Sequence, residues 1–197
     1  MTVNYGVIGC GMMGQEHLRN IALLEDAAVS AIFEPDTAMS NAAHGMVPTA
    51  KRCDSVEDVL ETADLDCLLV ASPNYLHVEQ VETIAQHRPL PLLVEKPLFT
   101  DPDDRERIAK LEADYPAPIW VAMEYRYMPP VASFLDMVDD ATGGVTMLTI
   151  REHRFPFLQK VGNWNRFNRY SGGTLVEKCC HFFDLMRLVF GAEAVRV

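Results

Sequence analysis

The sequence predicts an α/β fold, in which a doubly wound parallel sheet is followed by the first part of an α+β domain with an open sheet. Apolar runs of strand length alternate with helical patterns over roughly the first 120 residues, which is typical of βαβ units around a buried parallel sheet. After about Met123 the pattern changes to a helix, a glycine pair and a strand-like run. We therefore expect two domains, over residues 1–122 and 123–197.

The strands of the first domain are predicted from apolar runs that are bounded by turn-forming residues. In chain order these runs are VNYGVIG, AAVSAIFE, DLDCLLVAS, LPLLVEK and APIWVAM. Helix starts between them are marked by residues that favour N-caps or first turns. These signals are Ser55 three residues before Asp58, Asn74 after Pro73, and Asp101 before Pro102.

The second domain is predicted to begin with a helix from Pro129–Pro130 to about Asp140. The run VTMLTIREHRF that follows Gly143–Gly144 is typical of a strand. After the polar, aromatic-rich stretch NWNRFNRY, a helix is predicted between the glycines at 172 and 191, and AEAVRV resembles the beginning of another strand. A sheet with so few strands cannot cover a helix. We therefore expect the second domain to be incomplete.

Composition excludes several classes of protein. The net charge of -11 and the pI near 4.9 disfavour nucleic-acid binding, which needs a cationic surface. No apolar run approaches the roughly 18 residues that span a bilayer, and the N-terminus lacks the pattern of a signal peptide, so we expect a cytoplasmic protein with no membrane partner. Five cysteines without a CxxC pair predict reduced thiols and no metal site.

A glycine-rich loop follows the first strand and opens a helix. Gly9, Gly11 and Gly14 have G-x-G-x-x-G spacing, and we expect these glycines, with Met12 and Met13 between them, to contact the cofactor that such a loop binds. Each glycine has a physical reason: a tight turn, close approach of the backbone to a pyrophosphate, and close packing of helix on strand. The motif predicts a dinucleotide-binding domain of the Rossmann type, with the helix N-terminus at the phosphates.

The second strand ends in an acid that favours one cofactor over another. Glu34 lies twenty residues after Gly14, where a carboxylate can bind the adenine-ribose hydroxyls. A carboxylate there would repel a 2'-phosphate, so we expect NAD rather than NADP. The alternative is that Glu34 is a surface acid beside Pro35 in a turn.

Two further motifs, LLVASPNYLHVEQV and LLVEKPLFT, follow the glycine loop in order. With that loop, the chain resembles the Gfo/Idh/MocA oxidoreductases, named for glucose-fructose oxidoreductase and inositol dehydrogenase. The resemblance runs from the first strand to the end of the sequence. It implies an active-site lysine at Lys96, in a Glu-Lys-Pro triplet whose Pro97 often follows a cis peptide bond.

The resemblance also implies cofactor contacts near this triplet. Asn74 and His77 correspond to residues near the nicotinamide end, Glu95 to a ribose contact, and we expect Ser72 and Lys96 to contact the cofactor as well. Other interpretations remain open. Lys96 could be an exposed lysine at a strand end, Asn74 could serve as a helix N-cap, and His77 could pack beside the pocket.

A second family signature consists of a glycine run, an acid, a histidine four residues later and an aspartate three beyond that. Gly172, Gly173, Glu177, His181 and Asp184 occupy it here. The sequence departs from the family pattern in having a serine before the glycine pair, and a glutamate where many members have aspartate. On a helix these spacings place the three polar side chains along one stripe.

The resemblance and the chemistry of hydride transfer assign catalytic roles. When hydride leaves an alcohol carbon, a base must remove the hydroxyl proton, and His181 titrates near neutrality. Lys96 would stabilise the alkoxide, Glu177 would hold a substrate hydroxyl or orient the histidine, and Asp184 could fix the histidine or pack. Alternatively, Thr174 and Glu177 form a capping box, and His181 is a core histidine.

Three further side chains are candidates for substrate binding. Trp164 and Arg166 in NWNRFNRY can stack on or hydrogen-bond a polyhydroxylated ligand, although an ordinary loop with aromatic anchors explains them equally well. Arg126 in EYRYMP resembles a recurrent arginine of the family that lines the cleft.

The function implied by the resemblance is nicotinamide-dependent oxidation or reduction of a secondary alcohol or ketone on a sugar, cyclitol or related polyol. The expected partners are this small substrate and, for the full-length form, further copies of the chain in a homo-oligomer. Two alternatives stay open: a glycosidase that retains its NAD, and a non-catalytic dinucleotide-binding regulator or inactive fragment.

Overall fold

The computed structural model describes residues 2–153 and 155–196. Its centre is a six-stranded sheet in the order β3-β2-β1-β4-β5-β6, with every neighbouring pair parallel. The strands are β1 (Val3–Ile8), β2 (Ala27–Phe33), β3 (Lys51–Cys53), β4 (Cys67–Val70), β5 (Leu92–Val94) and β6 (Ile119–Val121). This order confirms the doubly wound parallel sheet of the Rossmann type.

Helices cover both faces of the sheet, because each parallel crossover must pass over one face. The helices of this part are α1 (Met12–Ile21), α2 (Thr37–Met46), α3 (Val56–Leu60), α4 (His77–His87) and α5 (Arg105–Asp114). Two apolar clusters result, one on each face; Ile8, Val70 and Val94 belong to the first, and Val7 and Leu69 to the second. Alternate residues of β1 and β4 thus enter opposite cores.

The five strands predicted from sequence are present, and β3 is an addition. Its three residues Lys51–Cys53 carry two exposed charged side chains at the edge of the sheet, so they lack the apolar run by which strands are recognised. Ser55 and Asp101 cap their helices as expected, accepting hydrogen bonds from the amides of Asp58 and Asp103.

The helix start predicted at Asn74 is present, but the N-cap role suggested for this residue is wrong. Pro73 is the residue before the 3-10 turn Asn74–Leu76, no side chain caps that turn, and α4 follows directly from it. Asn74 is buried, and its side-chain Nδ2 has no hydrogen-bond partner among the described residues.

After Val121, the regular secondary structure of the described residues is entirely helical. It contains the 3-10 turns Glu124–Tyr127 and Val161–Arg166, and the helices α6 (Pro129–Thr142), α7 (Asn168–Ser171), α8 (Gly173–Glu177) and α9 (Cys180–Phe190). As predicted, α6 begins at a proline pair and ends at a glycine, since Gly143 has the left-handed conformation that glycine adopts without strain.

The strands predicted in VTMLTIREHRF and AEAVRV are wrong for the described residues of those segments, which form no strand. Arg154 and Val197 lie outside the described residues. A strand needs a neighbour for its backbone hydrogen bonds, and the described residues after Val121 provide none. The open sheet expected in this domain is therefore absent from the described part of the chain.

The helix predicted between Gly172 and Gly191 is divided by a turn at Lys178 and Cys179. The capping box proposed for Thr174 is also wrong, because α8 already begins at Gly173 and has no side-chain cap. Within residues 2–153 and 155–196 we find no helix that is long and apolar enough to cross a membrane.

Candidate functional site

A cleft lies at the carboxyl ends of the strands, where the order of the sheet reverses between β1 and β4. Ligands of doubly wound sheets bind at such a switch point. A cavity of about 300 Å³ opens there, and both parts of the chain line it. The sequence-predicted residues that line it are Gly11, Met12, Met13, Glu34, Ser72, Asn74, Glu95, Lys96, Trp164, Glu177 and His181.

The three glycines of the loop have separate structural reasons. Gly9 has a φ of +87°, and a Cβ there would lie 2.4 Å from the amide nitrogen of Ser72. A Cβ on Gly14 would lie 2.1 Å from the carbonyl oxygen of Gly9, so only glycine lets α1 pack this close to the loop. A Cβ on Gly11 would meet no atom within 4 Å, because this residue faces the open cavity at the start of α1.

Glu34 folds back onto the glycine loop from the end of β2. Its carboxylate accepts hydrogen bonds from the amide of Cys10 at 2.7 Å and from the amide of Asp36 at 2.9 Å. Burial and the neighbouring Glu34 charge raise the pKa of the Cys10 thiol to about 12, which keeps that thiol protonated. Glu34 is therefore fixed at the rim of the cavity rather than projecting freely from the turn.

Lys96 reaches across the cleft to the second part of the chain. The Lys96–Pro97 peptide bond is cis, as the family resemblance implied. The ammonium of Lys96 donates a hydrogen bond of 3.1 Å to the backbone carbonyl of Glu177. This contact connects the end of β5 with the end of α8 at the cavity.

Glu95 and His77 support the segment that carries Lys96. Glu95 is paired with His17 of α1 at 2.7 Å. Burial is the largest single influence and opposes its ionisation, but the contacts with His17 and Lys96 together lower the pKa of the carboxyl. His77 is fully buried, and its ring nitrogens lie 2.8 Å from the carbonyl of Pro97 and 3.0 Å from that of Ser72. Burial lowers the pKa of His77, although both carbonyls oppose this shift. His77 therefore packs behind the cavity and does not line it.

His181 lies at the start of α9 and is almost completely buried. Its Nε2 is 3.5 Å from a carboxylate oxygen of Glu124. Burial, and then the positive charges of Lys96 and Lys178, lower the pKa of His181 to about 4. The imidazole is therefore neutral near pH 7 and has a lone pair free to accept a proton, but it is a weaker base than the near-neutral titration expected from the sequence would imply. Glu177 is also buried and lines the same cavity.

Arg126 and Asp184 do not line this cavity. The Arg126 guanidinium donates two hydrogen bonds to the Asp184 carboxylate, one of them 2.6 Å long, and both residues line a second groove of about 670 Å³. Asp184 thus does not hold His181. Arg166 is exposed and donates to the carbonyl of Phe157, whereas its neighbour Trp164 lines the cavity and packs edge-on against Tyr75.

Four ionisable residues of the cavity were missed from sequence: Glu124, Tyr125, Lys160 and Lys178. Burial lowers the pKa of Lys160, and Lys96 adds to this effect while Glu177 and Glu95 oppose it. Lys178 follows Glu177 directly in sequence, which is the only local signal that could have identified it. The other three depend on how the segments after β6 fold back over the sheet.

The residues present fit a dinucleotide. The open position at Gly11 and the N-terminus of α1 provide space and amide donors for a pyrophosphate. The buried Nδ2 of Asn74 lines the same cavity without a partner in the described chain and could donate to a ligand there. Together with Glu34 at the end of β2, these features define a dinucleotide-binding protein of the Rossmann class.

Comparison with known families identifies the family within this class to which the chain belongs. A family model described as "Oxidoreductase family, NAD-binding Rossmann fold" matches residues 3–123, and one described as "Oxidoreductase family, C-terminal alpha/beta domain" matches residues 137–197. The chain belongs to the Gfo/Idh/MocA oxidoreductase family, which confirms the resemblance seen in the sequence motifs.

Individual relatives are inositol dehydrogenases by name. The chain is 31% identical over 198 residues to inositol 2-dehydrogenase of Corynebacterium glutamicum (strain R), an alignment that covers 100% of this chain and 56% of the relative. It is 27% identical over 198 residues to inositol 2-dehydrogenase of Rhizobium meliloti (strain 1021), with 100% and 58% covered. The chain therefore spans a little over half the length of the curated relatives that it matches.

Solved structures agree on the fold. A structure from Sinorhizobium meliloti 1021, described as a candidate myo-inositol dehydrogenase, superposes with a TM-score of 0.82 at 25% identity and covers 98% of this chain and 56% of that chain. Myo-inositol dehydrogenase from Lactobacillus casei, in complex with NAD(H) and myo-inositol, gives a TM-score of 0.77 at 22% identity, with 98% and 56% covered. At that identity the likeness shows the fold alone.

Proposed function

We propose that the protein is an NAD-dependent oxidoreductase that transfers hydride between the nicotinamide and a secondary alcohol or ketone carbon of a cyclitol or related polyol. The observation that carries this proposal is the convergence of Lys96 and His181, from distant parts of the chain, on the cavity that begins at the glycine loop. The relatives named as inositol 2-dehydrogenases support the choice of a cyclitol.

NAD is the cofactor that the residues at the end of β2 favour. The carboxylate of Glu34 is held at the cavity rim by two backbone amides, where it can bind ribose hydroxyls. The same negative charge would repel the 2'-phosphate of NADP. We assign Met12 and Met13 to the phosphates through their position at the start of α1, and Ser72, Asn74 and Glu95 to the remainder of the cofactor.

A bound NAD would supply the acceptor for the hydride of the alcohol carbon, and the chain's own residues would bind and remove the hydroxyl proton. Lys96 uses one donor on the carbonyl of Glu177, and its ammonium has two further hydrogens for the substrate oxygen. His181 is neutral and would accept the hydroxyl proton at Nε2, while Lys96 would stabilise the negative charge that develops on the oxygen; the carbonyl bond forms as hydride leaves the carbon.

The proton must then leave a buried histidine. His181 is only 2% exposed, and the charges of Lys96 and Lys178 disfavour the imidazolium form. Glu124 lies 3.5 Å from Nε2 with about half of its side chain exposed, so it offers an acceptor between the ring and solvent. In the direction of ketone reduction, the same path returns the proton to the substrate oxygen.

Glu177 and Trp164 line the cavity on the side of the second domain. A buried carboxylate that accepts hydrogen bonds from neighbouring hydroxyls fits a polyol, and an indole offers an apolar surface for the C–H face of a ring. We therefore assign both residues to substrate binding. Arg126 and Asp184 bind each other outside this cavity, and we assign them a structural role instead.

The test is NADH formation from a panel of cyclitols, sugars and other polyols, measured by absorbance. We expect turnover with NAD, a loss of kcat/KM of roughly 10²–10³-fold in Lys96→Met, and a loss of roughly 10²–10⁴-fold in His181→Asn. Lys110→Met replaces an exposed lysine of α5 and serves as the matched control with unchanged activity.

Three outcomes would contradict the proposal. Binding of NADH without turnover of any polyol would support a non-catalytic regulator. Cleavage of a glycoside without net NADH formation would support a glycosidase that retains its cofactor. Full activity in both Lys96→Met and His181→Asn would remove the assigned residues from catalysis. The domain boundary near residue 122, the homo-oligomer and the cytoplasmic location stay predictions, testable by limited proteolysis, size-exclusion chromatography and cell fractionation.

A further inference from the structure

Among the residues that the structure describes, the ring of His181 lacks the hydrogen bond that commonly orients a catalytic histidine. Such a ring is usually fixed by a bond from its second nitrogen to a carboxylate or carbonyl. Here Nδ1 is buried and has no hydrogen-bond partner among residues 2–153 and 155–196. Asp184, three residues further along α9, is bound by Arg126. Something other than a hydrogen bond at Nδ1 must therefore hold the imidazole plane.

Tyr125, in the 3-10 turn after β6, holds the plane of the imidazole by stacking on it. Its ring lies parallel to the imidazole of His181, with centroids 4.2 Å apart and planes 9° apart. Because both rings are flat and in contact over their faces, rotation of the imidazole about its side-chain bond would drive its edge into the phenol ring. The stack thus restricts the imidazole of His181 to the plane in which its Nε2 lies near Glu124.

Lys178 in turn fixes Tyr125. Its ammonium lies 4.4 Å from the centroid of the Tyr125 ring and donates a hydrogen bond to the phenol oxygen. Glu152 accepts a hydrogen bond of 2.9 Å from the Tyr125 hydroxyl and forms an ion pair of 2.9 Å with Lys178. Lys178 is only 5% exposed, and lysine is rarely so buried unless it is paired.

We propose that Tyr125 and Lys178 are positioning residues for His181: the phenol ring sets the plane of the imidazole, and the lysine anchors the phenol and keeps a positive charge beside it. Neither residue has to touch the reacting atoms for this role. The inference rests on the proposed function for its catalytic consequence, and on the stack, the ion pair and the burial of Lys178 for its geometry.

The charges around His181 indicate what Lys178 contributes besides anchoring the ring of Tyr125. Lys96 faces the ring from the end of β5 and Lys178 from its own segment, while Glu124 lies beside Nε2. Burial is the largest cause of its lowered pKa; the two lysines add to it, whereas Glu95 and Asp184 oppose it. Removing the charge of Lys178 should therefore raise the pKa of His181 toward the ordinary histidine value.

The first test is a nuclear magnetic resonance titration of the His181 ring, with its signal assigned from its loss in His181→Gln. In the wild type we expect the shielding of a ring stacked on a phenol. This shielding should persist in Tyr125→Phe, which keeps the ring, and disappear in Tyr125→Leu. Lys178→Met should raise the pKa of His181 measurably, and Lys178→Arg should restore the wild-type value because it keeps the charge.

The second test is the rate of polyol oxidation as a function of pH. We expect kcat to fall about ten-fold or more in Tyr125→Leu and clearly less in Tyr125→Phe, with KM for NAD changed less than kcat. Lys178→Met should move the acid limb of kcat to higher pH, and Lys178→Arg should move it back. A wild type that turns over no polyol would contradict the proposed function only.

The positioning role is overturned if the His181 signal is the same in Tyr125→Leu and wild type, or if Lys178→Met leaves its titration unchanged. These readouts need no turnover, so they separate failure of this inference from failure of the proposed function. Thermal unfolding of each variant shows whether it is folded. If Tyr125→Leu does not fold, the shielding of the His181 ring in the wild type and Tyr125→Phe still tests the phenol, since its absence would overturn the stack, and the comparison of Lys178→Met with Lys178→Arg tests the lysine.

Discussion

Gly11 and Gly14 offer a matched pair of substitutions that separates cofactor binding from folding. A Cβ on Gly14 would lie 2.1 Å from the carbonyl oxygen of Gly9 and 3.0 Å from its carbonyl carbon. Both are backbone atoms, which cannot rotate away as a flexible side chain can. A Cβ on Gly11 would meet nothing within 4 Å, and its φ of -66° suits alanine.

The expected magnitudes follow from these contacts. In Gly14→Ala, alanine favours the helix by about 1 kcal/mol, but overpacking against backbone costs roughly 3 kcal/mol at the upper end of its range. The net loss of about 2 kcal/mol corresponds to a fall in Tm of roughly 4–8 °C for a domain of this size. In Gly11→Ala, the poorer N-cap costs about 0.5 kcal/mol, so Tm should fall by only roughly 1–2 °C.

Binding should show the opposite ranking. The methyl group of Gly11→Ala occupies the space through which a pyrophosphate approaches the backbone, so the Kd for NADH should rise at least about ten-fold, or about 1.4 kcal/mol. The assays are thermal unfolding by circular dichroism and titration by NADH fluorescence. Unchanged NADH affinity in Gly11→Ala would refute the pyrophosphate position, and unchanged stability in Gly14→Ala would refute the backbone clash.

Three further predictions concern stability, pH and cofactor choice. Arg88 donates hydrogen bonds to three carbonyls within residues 60–65, so Arg88→Met should lower the free energy of unfolding by about 2 kcal/mol; Arg105→Met, at an exposed site, is its control in urea denaturation. The pKa of His181 is about 4 when folded and 6.5 ordinarily, so the unfolded chain binds more protons between these values. The stability that the folded protein gains from keeping His181 neutral is thus fully present above about pH 6.5 and is lost as pH falls through about 4. The acid limb of kcat should also lie near pH 4, and a limb near 6.5 would contradict the assignment. Glu34→Ala should shift the preference toward NADPH by roughly ten-fold through lost charge repulsion; an unchanged ratio of Kd values would refute the role of this carboxylate.

Local signals were sufficient for much of the first domain. Each buried strand is an apolar run flanked by turn residues, and the glycine loop has a steric reason at every glycine, which the backbone contacts of Gly9 and Gly14 bear out. Ser55 and Asp101 were predicted as caps because capping depends on neighbours two or three residues away. β3 was missed because an edge strand of three residues, two of them charged, leaves no such pattern.

Local signals failed where a contact depended on a distant segment. Asn74 has the residue type of an N-cap, yet tertiary packing places its side chain in the cavity wall. The sequence predicted that Glu177, His181 and Asp184 form a stripe along one helix, but the turn at Lys178 divides that helix. Asp184, which suggested a partner for His181, is bound by Arg126 from a turn nearly sixty residues earlier.

By itself, the sequence determined the class of fold through its hydrophobic periodicity and the dinucleotide loop through the steric needs of its glycines. It also singled out Lys96 and His181 as candidate catalytic residues through their side-chain types. Only the tertiary structure decided which groups meet. It placed the Lys96 ammonium on the carbonyl of Glu177 and stacked Tyr125 on His181. The physical reason is that burial and charge act over distances of a few ångströms in space, whatever the separation of the residues along the chain.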